Sequence, residues 1–258
     1  MDEISLTREP RDRWPVIDIS VDFRYDSNGK DPDSHSPTLR RYHQLLWSKP
    51  LPNGALFNLD MTTRGGYLHH RSELGEFWLS SDSVIPTFTG WISMALVTSQ
   101  FTDEENVAFF TVGYTIGAMI VFPANRVGGK QTINGARGFN RKIADRMDLT
   151  LECIRRHYRG EPSPLGDTLA RYSAFFALFD DFRGYVEFFL LQDLVTSDCS
   201  SVRFFMSFDD FKAPSIPRDA DTYREYRRRS IAFVESRNHR INDLPRREEE
   251  LASHLEPC

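Results

Sequence analysis

The sequence predicts an α+β fold in which a small, mostly antiparallel sheet packs against several helices in a single domain. Three observations lead to it. Ile17, Ile19, Val21 and Phe23 alternate with Asp18, Ser20 and Asp22, the two-residue period of a half-buried strand. Short stretches at Ala55 to Asp60, Tyr67 to His70 and Glu76 to Leu79 have strand length, the last two joined through Glu73-Leu74-Gly75. Phe139 to Tyr158 carries Ile143, Met147, Leu151, Ile154 and Tyr158 at helical spacing, the strongest helix in the chain.

The remaining elements follow in order. Asp26 to Ser36 is a polar loop, and Ser36-Pro37 supplies an N-cap and a first-turn proline for a helix carrying Leu39, Tyr42 and Leu46. Lys49-Pro50-Leu51-Pro52-Asn53-Gly54 turns the chain. Thr102 with Glu105 three residues on forms a capping box for a helix through Phe109 and Phe110. Tyr114 to Phe122 reads as a buried strand stopped by Pro123. Asn125 to Gly138 is a turn-rich loop. Asp167 begins a helix through Leu169, Tyr172 and Phe176, and Gly184 interrupts before the apolar run Tyr185 to Val195, whose helix or strand state stays open. Val202 to Phe208 reads as a strand, and Asp221 or Thr222 caps a basic helix through Tyr226, Ile231 and Val234. The domain boundaries expected are a flexible N-terminus over 1–13, one globular domain over 14–241 and a charged tail over 242–258.

Composition bounds the function classes. The chain has 258 residues, a size one core can hold, and 40% hydrophobic residues with twenty Phe and nine Tyr supply large apolar surfaces for it. Its net charge of −5 gives no reason to expect whole-molecule attraction to nucleic acid or anionic membrane. No run approaches the about 18 apolar residues that span a bilayer, so no membrane partner is expected. Cys153, Cys199 and Cys258 are odd in number and lack metal-ligand spacing, which points to a reducing, cytoplasmic setting and to no metal. Locally the charge differs, because Arg126 to Arg159 and Arg218 to Arg247 are both basic stretches. A general excess of arginine over lysine accounts for them as readily as anion binding does.

Trp47 to Gly54, Phe77 to Asp82 and above all Thr132-Ile133-Asn134-Gly135-Ala136-Arg137-Gly138 form long motifs, as do Asp148 to Arg156, Gly184 to Asp193 and Arg237 to Ile241. Together they resemble an uncharacterised bacterial family, a domain of unknown function, over about Trp14 to Ile241. The resemblance implies one intact domain in a bacterial cytoplasmic protein and carries no activity, cofactor or catalytic residue with it.

The candidate site lies where the 128–138 loop meets the next helix. Unpaired N–H groups at a helix start attract anions, and glycines let a phosphate approach the backbone. Lys130, Asn134, Gly135, Arg137, Gly138 and Arg141 form the anion-binding set. Ala124 stands where a Walker loop needs glycine, and Gln131 where it needs Ser or Thr, so this is no P-loop. Asp145, Asp148 and Glu152 are the acid–base candidates, with His69 as an outside choice. A helical wheel puts these acids on the polar face, where Arg141, Arg155 and Arg156 pair with them; Leu149 among the charges implies that something packs over that face. Adjacent His69 and His70 point to opposite faces of a strand. Cys153 falls near Lys142 and Arg156, which would depress its pKa, unless burial prevails. The expected function is an enzyme or effector handling a phosphate-bearing ligand, a nucleotide or nucleic acid. The alternative is a non-catalytic interaction protein or homo-oligomer scaffold. The residues leave the cofactor unspecified.

Overall fold

A computed structural model describes residues 17–62 and 65–254, with side chains through Leu244. Two four-residue helices, α1 (Arg24–Ser27) and α2 (Pro32–His35), precede α3 (Pro37–Trp47), which starts as the sequence predicts: the Ser36 hydroxyl accepts from the Leu39 N–H and Pro37 occupies the first turn. β1 (Lys49–Pro50) and β2 (Leu56–Phe57) form a hairpin whose turn uses Gly54 at φ +80°. β3 (Asp60–Met61), β4 (Leu68–Ser72) and β5 (Gly75–Ser83) continue as an antiparallel meander, with Glu73-Leu74 the tight turn between β4 and β5.

α4 (Ala95–Thr98) and α5 (Asp103–Val112) follow, α5 opening on the expected Thr102–Glu105 capping box. The completely buried β6 (Met119–Pro123) then pairs antiparallel with the second half of β5, Asp82 lying opposite Ile120. The sheet order is therefore β3-β4-β5-β6. α6 (Ile133–Phe139), α7 (Met147–Tyr158), α8 (Gly166–Ala170), α9 (Ser173–Phe176), α10 (Phe182–Phe188) and the long α11 (Ala220–His254) complete an α+β single domain.

Aromatic side chains fill the core in two groups. Trp47, Phe179, Tyr185, Phe188 and Phe189 meet under α3 and α10, while Phe88, Phe109, Tyr223 and Tyr226 join α5 to α11. Such rings contribute large buried area and favour the tilted and edge contacts seen here. Gly184 does not interrupt: it sits inside α10, where Asp181 caps its N–H and a Cβ would stand 2.1 Å from the Phe179 carbonyl. α11 starts at Ala220, with the Asp219 carboxylate accepting from the Thr222 N–H, in place of a cap at Asp221 or Thr222.

Several predicted elements take other forms. Residues 17–23 make no strand, because their aspartates capture nearby donors: Asp18 Oδ1 accepts from the Ser20 N–H and hydroxyl, and Asp22 Oδ1 from the Arg24 N–H. The expected 114–122 strand is a 3-10 turn followed by β6, and 202–208 retains only the Val195–Val202 bridge. Of the helix predicted over 139–158 only α7 forms: α6 ends at Phe139, and residues 140–146 are a turn between the two. Ala144 and Asp145 adopt φ of +49° and +61°, and the Asp145 N–H bonds the Arg137 carbonyl at 3.3 Å, so the chain reverses before α7. Every residue of α7 from Met147 to Ile154 is buried, so the face that the wheel makes polar is covered as well: Asp148 and Glu152 are buried, and so is Leu149, as its place among the charges implied. The N-terminus expected over 1–13 lies outside the described residues, and α11 runs through most of the 242–258 tail.

Candidate functional site

The polar end of β5, Ser81-Asp82-Ser83, forms the floor of a cleft of about 270 Å³. α2 brings Asp31 and Asp33 to one side; Phe110 of α5, Gly113 and Tyr114 form another; the chain after β5 contributes Thr87, Phe88 and Trp91; and the turn before α7 supplies Asp145. This convergence has local causes. Val84 accepts from the Met147 N–H through its carbonyl, tying the start of α7 to the end of β5. Tyr226 and Tyr223 of α11 donate to the carbonyls of Pro86 and Thr87 at 2.7 and 2.6 Å, fixing the aromatic wall.

Arg137 organises the floor from below. Its side chain is fully buried; Nε donates to Thr150 Oγ1 at 2.9 Å, one terminal nitrogen to Asp82 Oδ2 at 2.6 Å, and the other to the carbonyls of Ser83 and Asp145 at 3.1 and 2.8 Å. Asp145 Oδ1 stands 3.7 Å from the same guanidinium, shut off from solvent and without a hydrogen-bond partner. Two carboxylates thus share one cation.

The electrostatic result is a pair of carboxyl groups that hold protons near neutrality. Burial, with Asp145 adding like charge, pushes Asp82 up to about 7 in spite of Arg137. Burial also raises Asp33 to about 6, against the hydrogen bond it accepts from the Ser81 hydroxyl at 3.0 Å. Groups in that range suit general acid–base catalysis near pH 7.

The anion-binding residues do not gather around a vacancy. Thr132 spends its hydroxyl on the Gly135 N–H at the start of α6, Asn134 bonds Ser80 Oγ and the Ser81 carbonyl, and Arg137 has its donors engaged. Lys130, Gly138 and Arg141 are exposed on the outside of the loop. Among the acid–base candidates only Asp145 reaches the cleft. Asp148 is paired with Arg146 and accepts from the Phe205 N–H, and Glu152 is clamped by Arg155 and Arg156 at 2.8 and 2.7 Å. His69 lies elsewhere on the sheet, stacked on Trp78 and 2.9 Å from Glu76, while His70 is buried on the opposite face. Cys153 is no reactive thiol: burial raises it to about 12. Among the described residues no three His, Cys, Asp or Glu side chains come together to hold a metal ion.

Sequence reasoning passed over Asp33 and Asp82. One signal stood in β5, where Ser80 to Ser83 is polar at every position although this half of the strand pairs with the fully buried β6. A strand that loses its apolar alternation beside a buried neighbour has a reason to do so.

Fold and floor together define an α+β protein with an acid-lined, aromatic-walled cleft. Residues 17–241 match a family of unknown function (DUF6994), and the chain belongs to it. No curated protein and no solved structure matches the chain. No helix among the described residues is long and apolar enough to cross a membrane.

Proposed function

We propose that this chain acts on a small molecule held in the β5 cleft, with Asp82 and Asp33 as the groups that exchange protons with it. The observation that supports this most is the convergence of Asp33, Asp82 and Asp145, from three separate segments, on one concavity beside exposed ring surface. Two carboxyls held near 6 and 7 give both an acid and a base at neutral pH. The small volume suits a single compact ring or a short chain. Setting and compartment, a bacterial cytoplasm, belong to the same proposal and rest on the cysteine pattern and the sequence motifs.

A phosphate-bearing ligand, nucleotide or nucleic acid, would find carboxylates rather than free donors on the cleft floor. Its remaining attachment would be the exposed Lys130 and Arg141 outside. A thermal-shift screen separates these occupants, because a ligand of the native state raises the melting temperature. The probes are sugars, amines, inorganic phosphate and AMP, run on wild type, Asp82→Asn and the double variant Lys130→Ala/Arg141→Ala. Stabilisation lost in Asp82→Asn and kept in the double variant is the expected outcome. Stabilisation by phosphate or AMP lost only in the double variant overturns it in favour of the loop. No shift with any probe favours the interaction-protein reading, for which the exposed Ile92 and Leu96 would be the contact surface.

A further inference from the structure

We propose that the ligand of this cleft is an organic cation, a molecule presenting a protonated amine to the carboxylates and an apolar body to the rings. This deepens the reading above and rests on it.

The first observation is an imbalance of charge. Four carboxyl groups, Asp31, Asp33, Asp82 and Asp145, line the cleft. The one guanidinium on its floor, Arg137, has each of its nitrogens bonded inside the protein. Arg24 on α1 is spent on Asp22, and Arg40 on α3 reaches the Thr62 carbonyl. Asp33 is faced by Ser81 and Asp31 with Arg40 farther off; Asp82 is faced by Arg137, Asp145 and Asp33. The set is thus short of positive charge.

The second observation concerns the hydrogen bonding of one of these four. Asp145 Oδ1 has only the Arg137 guanidinium near it, at 3.7 Å, and accepts no hydrogen bond among the described residues, although the side chain is 26% exposed; a donor reaching it from the cleft would supply the missing bond. The third is the wall. Trp91, Phe110 and Tyr114 line the same space, and aromatic faces attract cations. Phe110 and Tyr114 already carry the Arg24 guanidinium at 4.7 and 4.9 Å from their centroids, so this part of the molecule accepts a cation on its rings. Ring surface beside carboxylates suits a soft organic cation better than a hard metal ion, for which no three of the described carboxylates come close enough together.

A bound ammonium favours the ionised carboxylates. Binding therefore expels protons between pH 6 and 7, and affinity rises with pH across that interval before levelling off. Isothermal calorimetry with benzylamine, benzyl alcohol and benzoate varies only the head group on one ring. Runs at pH 6.5 in two buffers of different ionisation enthalpy count the protons. The expected result is benzylamine at least about tenfold tighter than benzyl alcohol, benzoate without measurable heat, and proton release that falls in Asp82→Asn. Asp33→Asn, at the cleft edge, serves as a second variant if Asp82→Asn does not fold. Equal affinity for the amine and the alcohol, preference for benzoate, or proton uptake overturns the cationic ligand and leaves the cleft reading standing. No heat with any of the three overturns the cation, and the screen's sugars, phosphate and AMP then decide the cleft separately.

Discussion

Arg137 and Arg237 are both fully buried, yet the first shares two carboxylates at the edge of a cleft and the second is held by backbone carbonyls alone. Arg237 Nε and one terminal nitrogen donate to the Phe189 carbonyl just past α10 at 3.2 and 3.0 Å, and the other donates to Gly117 and Met119 at 2.8 and 2.6 Å. The carbonyl end of a helix favours a cation, and Arg237 thereby bolts α10, β6 and α11 together. Gly117 makes the approach possible, because a Cβ there would stand 2.5 Å from Asn238 Oδ1. Burial pulls the Arg237 guanidinium below its ordinary pKa. None of the carbonyls that ligate it titrates, and burial, with the charge of Arg237 adding to it, holds the neighbouring His43 down to about 3, so no group at this centre changes charge around neutral pH. Arg137 instead faces a carboxyl whose pKa is pushed up to about 7, so its surroundings respond to pH.

The largest effect expected follows from breaking the carbonyl-bound centre. Arg237→Met strips three carbonyls of their donors and should cost about 3–5 kcal/mol in urea unfolding, with the deficit unchanged between pH 5 and 8. Arg137→Gln is expected to cost less at pH 8, about 2–3 kcal/mol, because the carboxylates it leaves are partly reached by water. Here the pH matters. The folded-state pKa of Asp82 is already raised, so its ionisation opposes folding as pH rises from 4 through 7. Without the guanidinium this opposition grows. The Arg137→Gln deficit should therefore shrink as pH falls from 8 to 5, and a deficit flat with pH would erase the distinction between the two centres. Smallest is Thr150→Val, which keeps the shape but removes the acceptor of Arg137 Nε and the donor to the Arg146 carbonyl, about 1–2 kcal/mol by thermal unfolding.

The same contrast explains what could be read in the sequence. Local rules held where local chemistry decides: Ser36-Pro37 started α3, Thr102 and Glu105 boxed α5, and the Glu73-Leu74 turn set the β4–β5 hairpin. They failed where side chains take over backbone groups. The 139–158 stretch has an unbroken helical pattern, but Arg137 holds both the N–H side and the carbonyl of Asp145 in a left-handed turn. Asp18 and Asp22 mimic strand alternation while their side chains cap the backbone. The TINGARG stretch marked the right neighbourhood, since Arg137 and Asp145 both belong to the floor. Its glycine loop drew attention to the outer side, whereas the arginine turns inward. Asp33 and Asp82 become neighbours of the cleft only through the α2–β5 contact, a tertiary fact with no local signature.

The most direct test of a proton-exchanging cleft is a ¹³C NMR titration of the aspartate carboxyl carbons, with Asp82→Asn and Asp33→Asn used for assignment. Midpoints near 7 for Asp82 and near 6 for Asp33 are expected. Both residues titrating at the ordinary aspartate value of about 3.9 would contradict it.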